Sequence, residues 1–302
     1  MTKFDGYQHI TDSLIEAMES GVLPWRKGWT GGKAMELPRR HTGETYRGIN
    51  VLLLWIAAQS RAYGSPFWMT FKQAKEYGGC VRKGEKGTQI TFFNMLRKED
   101  KETGEERKIP LLKVFTVFNA DQIDGLPEKF HAVAPEPVAE NDTQAIAEIE
   151  AFFAATGATI RNRDTFNPCY VPALDEIRMP EIRQFNSASN YYGTLAHELI
   201  HWTGHKSRLD RTQTQERADY AYEELIAELG NCFLASELGL EIDVTNSAAY
   251  LDSWLRALRS DKKFIFQAAS AAQKATDFAL ELGQGRAAPE MRTNVIEDKR
   301  AA

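Results

Sequence analysis

Apolar residues recur at helical spacing at Ile10, Leu14, Ile15 and Met18, which predicts an amphipathic helix over residues 6–20 with one face in a core. The run VLLLWIAAQSRAY is apolar around its circumference and predicts a buried helix, and SPFWMTFKQAKEYGG predicts a shorter one ending at Gly78-Gly79. Residues 89–97 and 111–119 are rich in β-branched and aromatic side chains, with the charged EDKETGEERK between them as a hairpin tip. Beyond HAVAPEPVAENDTQA, a segment of prolines, small residues and acids, the period turns helical over 143–156, 189–203 and 217–238. A closing helix pair carries Trp254, Leu255, Leu258, Phe264 and Phe266 as core, and CYVPALDEIRMP reads as an extended run between prolines. This pattern predicts an α+β fold: an amino-terminal α+β domain at 1–130, a linker at 131–142, a mainly helical domain with a small sheet at 143–285, and a flexible tail at 286–302.

Composition changes this picture little. A chain of 302 residues, 43% hydrophobic, can bury a sizeable core in two domains. No stretch approaches the ~20 apolar residues that span a bilayer, so neither a membrane anchor nor a signal peptide is expected. Cys80, Cys169 and Cys232 stand far apart without a C-x-x-C pair, which points to a reducing, cytoplasmic setting and away from a cysteine zinc cluster. Charge is more informative. Residues 1–130 carry 20 Lys+Arg against 16 Asp+Glu, a net of +4, while the remaining 17 against 26 leave 131–302 at −9. A mildly basic amino-terminal half suits a phosphate backbone without establishing one as its partner.

The densest chemistry lies at His197-Glu198-Leu199-Ile200-His201, a His-Glu-x-x-His sequence inside a predicted helix. At about 100° per residue both imidazoles reach one Zn²⁺ from the same face, and Glu198 is the catalytic general base beside a metal-bound water. One zinc per chain is expected, with another divalent metal as the alternative. Such sites take a third protein ligand. Ser207 occupies the position where a metzincin has its third histidine, and His205 lies about 12 Å of helical rise beyond His197, out of reach unless the helix breaks at Gly204. A carboxylate of YAYEELIAELGNCF remains, with Glu224 favoured as ligand and Glu228 as the carboxylate behind a histidine. The reverse order stays open, and Glu223 is the outsider. A peptide substrate would pair along the CYVPALDEIRMP strand.

Rings and cations alternate in the amino-terminal half: Trp25, Arg26, Lys27 and Trp29; Tyr46, Arg47 and Asn50; Trp68, Lys72 and Gln73; and Arg82, Lys83 and Lys86. Exposed rings stack on bases while cations follow phosphates, which makes these residues candidates for holding single-stranded DNA. Each ring taken singly is as readily explained as core.

The segments W-R-K-G-W, TGETYRGIN, WMTFKQAKEYGGCVRKGEKG and VFNADQIDGLP together resemble the amino-terminal domain of ArdC-type antirestriction proteins, shared with TraC-type plasmid primases. YYGTLAHELIHWTGHKSRLDR and YAYEELIAELG resemble the zincin-like metallopeptidase domain that follows it. The resemblance covers roughly residues 5–285. It implies a plasmid-borne or mobile-element protein that binds single-stranded DNA and protects incoming DNA from host restriction during conjugation. It further implies a metal at His197 and His201 with a carboxylate from EELIAE, Glu198 as the catalytic position, and an unidentified host protein as substrate. A single-strand coat with a structural or vestigial metal site, or a regulatory zinc protease that cleaves a repressor, are the alternatives.

Overall fold

The computed structural model describes residues 5–20, 36–99, 106–131, 143–211, 217–240 and 251–285. The amino-terminal half contains α1 (Gly6–Glu19), β1 (Arg39–Arg40), α2 (Ile49–Arg61), β2 (Phe67–Met69), α3 (Phe71–Glu76), β3 (Cys80–Val81), β4 (Thr88–Glu99), β5 (Glu106–Asn119) and β6 (Ile123–Asp124). The carboxy-terminal half contains α4 (Thr143–Ala155), β7 (Thr159–Asn162), β8 (Cys169–Val171), β9 (Glu176–Met179), α5 (Ala188–Thr203), α6 (Arg217–Leu238), α7 (Leu251–Ser260) and α8 (Phe264–Gly283). The fold is α+β, and the predicted helices are present.

Local chemistry starts these helices. Asp5 accepts hydrogen bonds from the amides of Tyr7 and Gln8 at the head of α1, and Thr70 and Gln73 form a reciprocal capping box on α3. Ser187 accepts from the Asn190 amide at the head of α5. The long antiparallel pair β4–β5 runs in unbroken register from Thr88↔Val117 to Glu99↔Glu106, as part of a sheet ordered β1-β2-β5-β4. CYVPALDEIRMP is not one extended run. It folds back as the β8–β9 hairpin through a turn at Asp175, whose φ is +49°, and β8 becomes the edge of a sheet ordered β7-β9-β8.

Helix α6 is the axis of the carboxy-terminal half. Every residue from Glu223 to Ala235 is buried, including Glu223, Glu224, Glu228 and Asn231. Gly230 lets α5 approach: a Cβ there would lie 2.9 Å from Ile200 Cγ2. A helix-interior glycine costs about 1 kcal/mol relative to alanine, so the close contact with α5 has to offset it.

The two halves share one hydrophobic cluster. It runs from Ile10, Leu14 and Met18 of α1 through Leu52, Leu54 and Trp55 of α2 to Phe233 of α6, Trp254 of α7 and Ala268 and Ala272 of α8. Trp55 meets Phe233 with ring centroids 5.9 Å apart, and Tyr7 meets Phe266 at 4.8 Å. The Gly48 amide donates to Gln273 Oε1 at 2.9 Å, and the Thr11 hydroxyl to the Lys262 carbonyl at 2.9 Å. The composition shift at 131–142 therefore does not divide the core. Residues 132–142 of that linker, the tail 286–302 and the hairpin tip 100–105 lie outside the described residues. No helix among those described is long and apolar enough to cross a membrane.

Candidate metal centre

Helix α5 presents His197 and His201 one turn apart, and α6 brings Glu224 across from them. His197 Nε2 and His201 Nε2 are 3.2 Å apart, Glu224 Oε1 is 3.5 Å from His201 Nε2, and Glu224 Oε2 is 3.7 Å from His197 Nε2. Donors placed ~2.0–2.1 Å from a tetrahedral ion are separated by about 3.4 Å. The observed spacings bracket that value, so the three side chains could hold a divalent metal ion. They form the one such cluster of potential metal ligands among the described residues.

Electrostatics agree with the geometry. Burial lowers the His201 pKa, but the hydrogen bonds it donates to Glu223 and Glu224 outweigh this and push it up to about 10. Burial raises Glu224, and its bonds to His197 and His201 overcome this and hold the carboxyl well below the usual carboxylate range. A site that draws a proton onto an interior imidazole is one in which negative charge is in surplus, and a cation answers that demand.

The carboxylate behind the histidine is Glu223 rather than Glu228. Glu223 Oε1 lies 3.3 Å from His201 Nδ1. Arg211 holds Glu223 in turn, with Nη2 2.7 Å from Oε1 and Nε 3.1 Å from Oε2. The same guanidinium donates to the Ile200 carbonyl at 2.7 Å and to Thr203 Oγ1 at 2.9 Å, closing the end of α5. Helical period favours Glu228, one turn from Glu224, and nothing in the spacing announces Arg211. Glu228 is buried in α6 outside the ligand cluster. His205 turns away into its own loop, where its Nδ1 pairs with Ser207.

Glu198 is buried beside the histidines, and its Oε2 accepts the Tyr170 amide at 2.7 Å. Tyr170 lies on β8, so its N–H faces the open edge of that sheet and the site together. The Tyr170 hydroxyl donates to Asp175 at 2.9 Å, and Arg208 binds Asp175 and stacks 3.8 Å over the Trp202 ring. The loop after α5 thus ties the β8–β9 hairpin over the motif helix.

Comparison with known proteins gives this arrangement its relatives. The family model for the N-terminal domain of anti-restriction factor ArdC matches residues 4–118, and that for a zincin-like metallopeptidase matches 147–271. The crystal structure of metal-free antirestriction ArdC from plasmid R388 is 53% identical, with a TM-score of 0.82 over 94% of this chain and 100% of that one. This chain belongs to the ArdC antirestriction family. A Mn(II)-bound structure of the R388 protein is 51% identical over 93% of this chain and 98% of that one, with a TM-score of 0.79. DNA primase TraC of Escherichia coli is 38% identical over 98% of this chain, which spans only 29% of the primase.

In this ArdC-family chain the aromatic and basic candidates separate into distinct groups. Trp25, Arg26, Lys27 and Trp29 lie outside the described residues. The expectation that Trp68 and Tyr46 stack on bases is corrected: their rings are 1% and 6% exposed, packed in the core. Asn50 caps the edge of β4 by bonding both the amide and the carbonyl of Thr91 at 2.8 Å, and Gln73 is spent in its capping box. Arg47 is paired with Asp277 of α8, and Arg82 with Glu85, Asp124 and the Asp121 carbonyl. Lys72, Lys83 and Lys86 are exposed.

Proposed function

We propose that this chain is an antirestriction protein of a plasmid or other mobile element, acting in the cytoplasm, that binds single-stranded DNA and carries a zinc-dependent peptidase site. The convergence of His197, His201 and Glu224 within 4.8 Å carries the peptidase part of the reading. The Mn(II)-bound structure of a relative supports a divalent ion as the metal. His197, His201 and Glu224 would hold it, and when bound it would polarise a substrate carbonyl and acidify a water.

The chain's own groups do the rest. Glu198 moves the proton, taking it on a carboxylate oxygen and delivering it to the leaving nitrogen of a cleaved peptide. Glu223 keeps the His201 ring oriented through Nδ1. The edge of β8 offers backbone groups to an extended peptide from a host defence protein. The ArdC-type amino-terminal domain and the kinship with DNA primase TraC support the single-strand and conjugation parts.

A second reading, a single-strand coat whose metal merely fastens α5 to α6, draws on the engagement of Glu198 with the Tyr170 amide. Glu198→Gln separates the two. It should retain fold, metal content and DNA affinity while antirestriction in a conjugation assay is lost. Undiminished antirestriction in that variant would remove the peptidase from the mechanism.

A further inference from the structure

The β4–β5 hairpin carries a surface that neither the motif reading nor the metal centre uses. From Thr88↔Val117 to Lys98↔Arg107 its two strands contain no carboxylate and five cations: Arg97, Lys98, Arg107, Lys108 and Lys113. Two consecutive rungs, Arg97↔Lys108 and Lys98↔Arg107, pair cation with cation. Lower on the hairpin, Phe92 is opposite Lys113 and Phe115 is opposite Ile90, so both rings and the lysine share one face.

Those rings are not core. Phe92 is 41% exposed and Phe115 44%, with their centroids 6.3 Å apart and planes at 81°. On the other face, Phe93 is 48% exposed but in ring contact with Tyr7 and Phe266. The face bearing Phe92 and Phe115 is therefore an open aromatic step beside a lysine, on a strand pair whose net charge suits a polyanion.

We propose that Phe92 and Phe115 form the base-stacking platform for single-stranded DNA, with Lys113 on a neighbouring phosphate. This rests on the single-strand reading above and gives it a location. Unpaired bases present π-faces that a duplex hides, so the platform takes any sequence and prefers single strands. Each stacked base contributes a factor of about 5 to 150 in affinity.

The test compares wild type, Phe92→Leu/Phe115→Leu and Lys113→Gln in the full chain, titrated against a fluorescent oligothymidylate and a duplex of equal length. The Leu pair keeps apolar bulk on an exposed face, and circular dichroism checks that the fold is intact. Single-strand affinity should fall at least tenfold in that variant, with duplex binding and the salt slope unchanged. Lys113→Gln should instead lower the slope of log K against log salt by about 0.7. Wild-type protein photocrosslinked to a 5-iodouracil oligonucleotide should carry the label on peptides spanning 88–98 or 107–117, a readout that needs no variant.

Equal single-strand affinity in the Leu pair, or crosslinks wholly elsewhere, would overturn the platform while leaving the single-strand reading standing. Absence of wild-type single-strand binding would overturn both. Wild-type self-association abolished by the Leu pair, with DNA affinity unchanged, would assign the face to a second copy of this chain and also overturn the proposal.

Discussion

Replacing Phe233 by Ala asks whether the two halves of this chain unfold as one body. Phe233 is 1% exposed on α6, and its ring meets Trp55 of α2 across the line between the two family domains. Truncating a buried phenylalanine costs about 3–5 kcal/mol. At about 2.1 cal/mol/K per residue, 302 residues melting together have an unfolding entropy of ~0.6 kcal/mol/K, so Tm should fall by about 5–8 °C in a single transition. A carboxy-terminal half melting alone has about half that entropy, so its transition would drop by ~10–17 °C while the amino-terminal one stayed in place. Scanning calorimetry on metal-free protein distinguishes the two, and hydrogen exchange should show α2 and α6 losing protection together. Two transitions with only one displaced, or full protection retained in α2, would refute the shared core as an energetic unit.

Two further outcomes follow from the metal centre. Glu223→Gln should weaken metal binding by about 10–100-fold with the fold retained, because His201 Nδ1 loses its charged partner; isothermal titration with Zn²⁺ measures it. In the metal-free protein the raised His201 pKa contributes stability that is complete below its ordinary value near 6.5 and lost as pH rises through about 10. The lowered Glu224 pKa has the opposite sign, contributing above the ordinary carboxylate range and lost as pH falls. Metal must displace the His201 proton, so apparent affinity should climb about tenfold per pH unit between roughly 6.5 and 10; a pH-independent affinity would contradict the assignment.

Periodicity identified the helices because an amphipathic or fully buried helix writes its face into residue spacing: α1, α2, α5 and α6 follow from apolar positions and caps. The short strands β1, β2, β3, β6 and β7 were not legible, since two to four residues hold too little period to distinguish from loop. The aromatic candidates failed in an instructive way. Tyr46 precedes Arg47 and Trp68 lies four residues before Lys72, yet both side chains are buried in the shared core. Phe92 and Phe115, in a stretch that reads as ordinary strand, are among the rings left open.

By itself, then, the sequence determined the local and the covalently spaced: the motif helix, the pairing of His197 with His201 at i and i+4, the exclusion of Ser207, and a family resemblance across both halves. Tertiary structure alone decided everything that depends on two segments meeting. It chose Glu223 over Glu228 behind His201, brought Arg211 to both Glu223 and the end of α5, set Glu198 against the edge of β8, and merged two apparent domains into one hydrophobic cluster. Spacing within a helix fixes which side chains share a face. Which of those faces lies against another helix is set by packing between segments distant in the chain, here by the contact that Gly230 allows with Ile200.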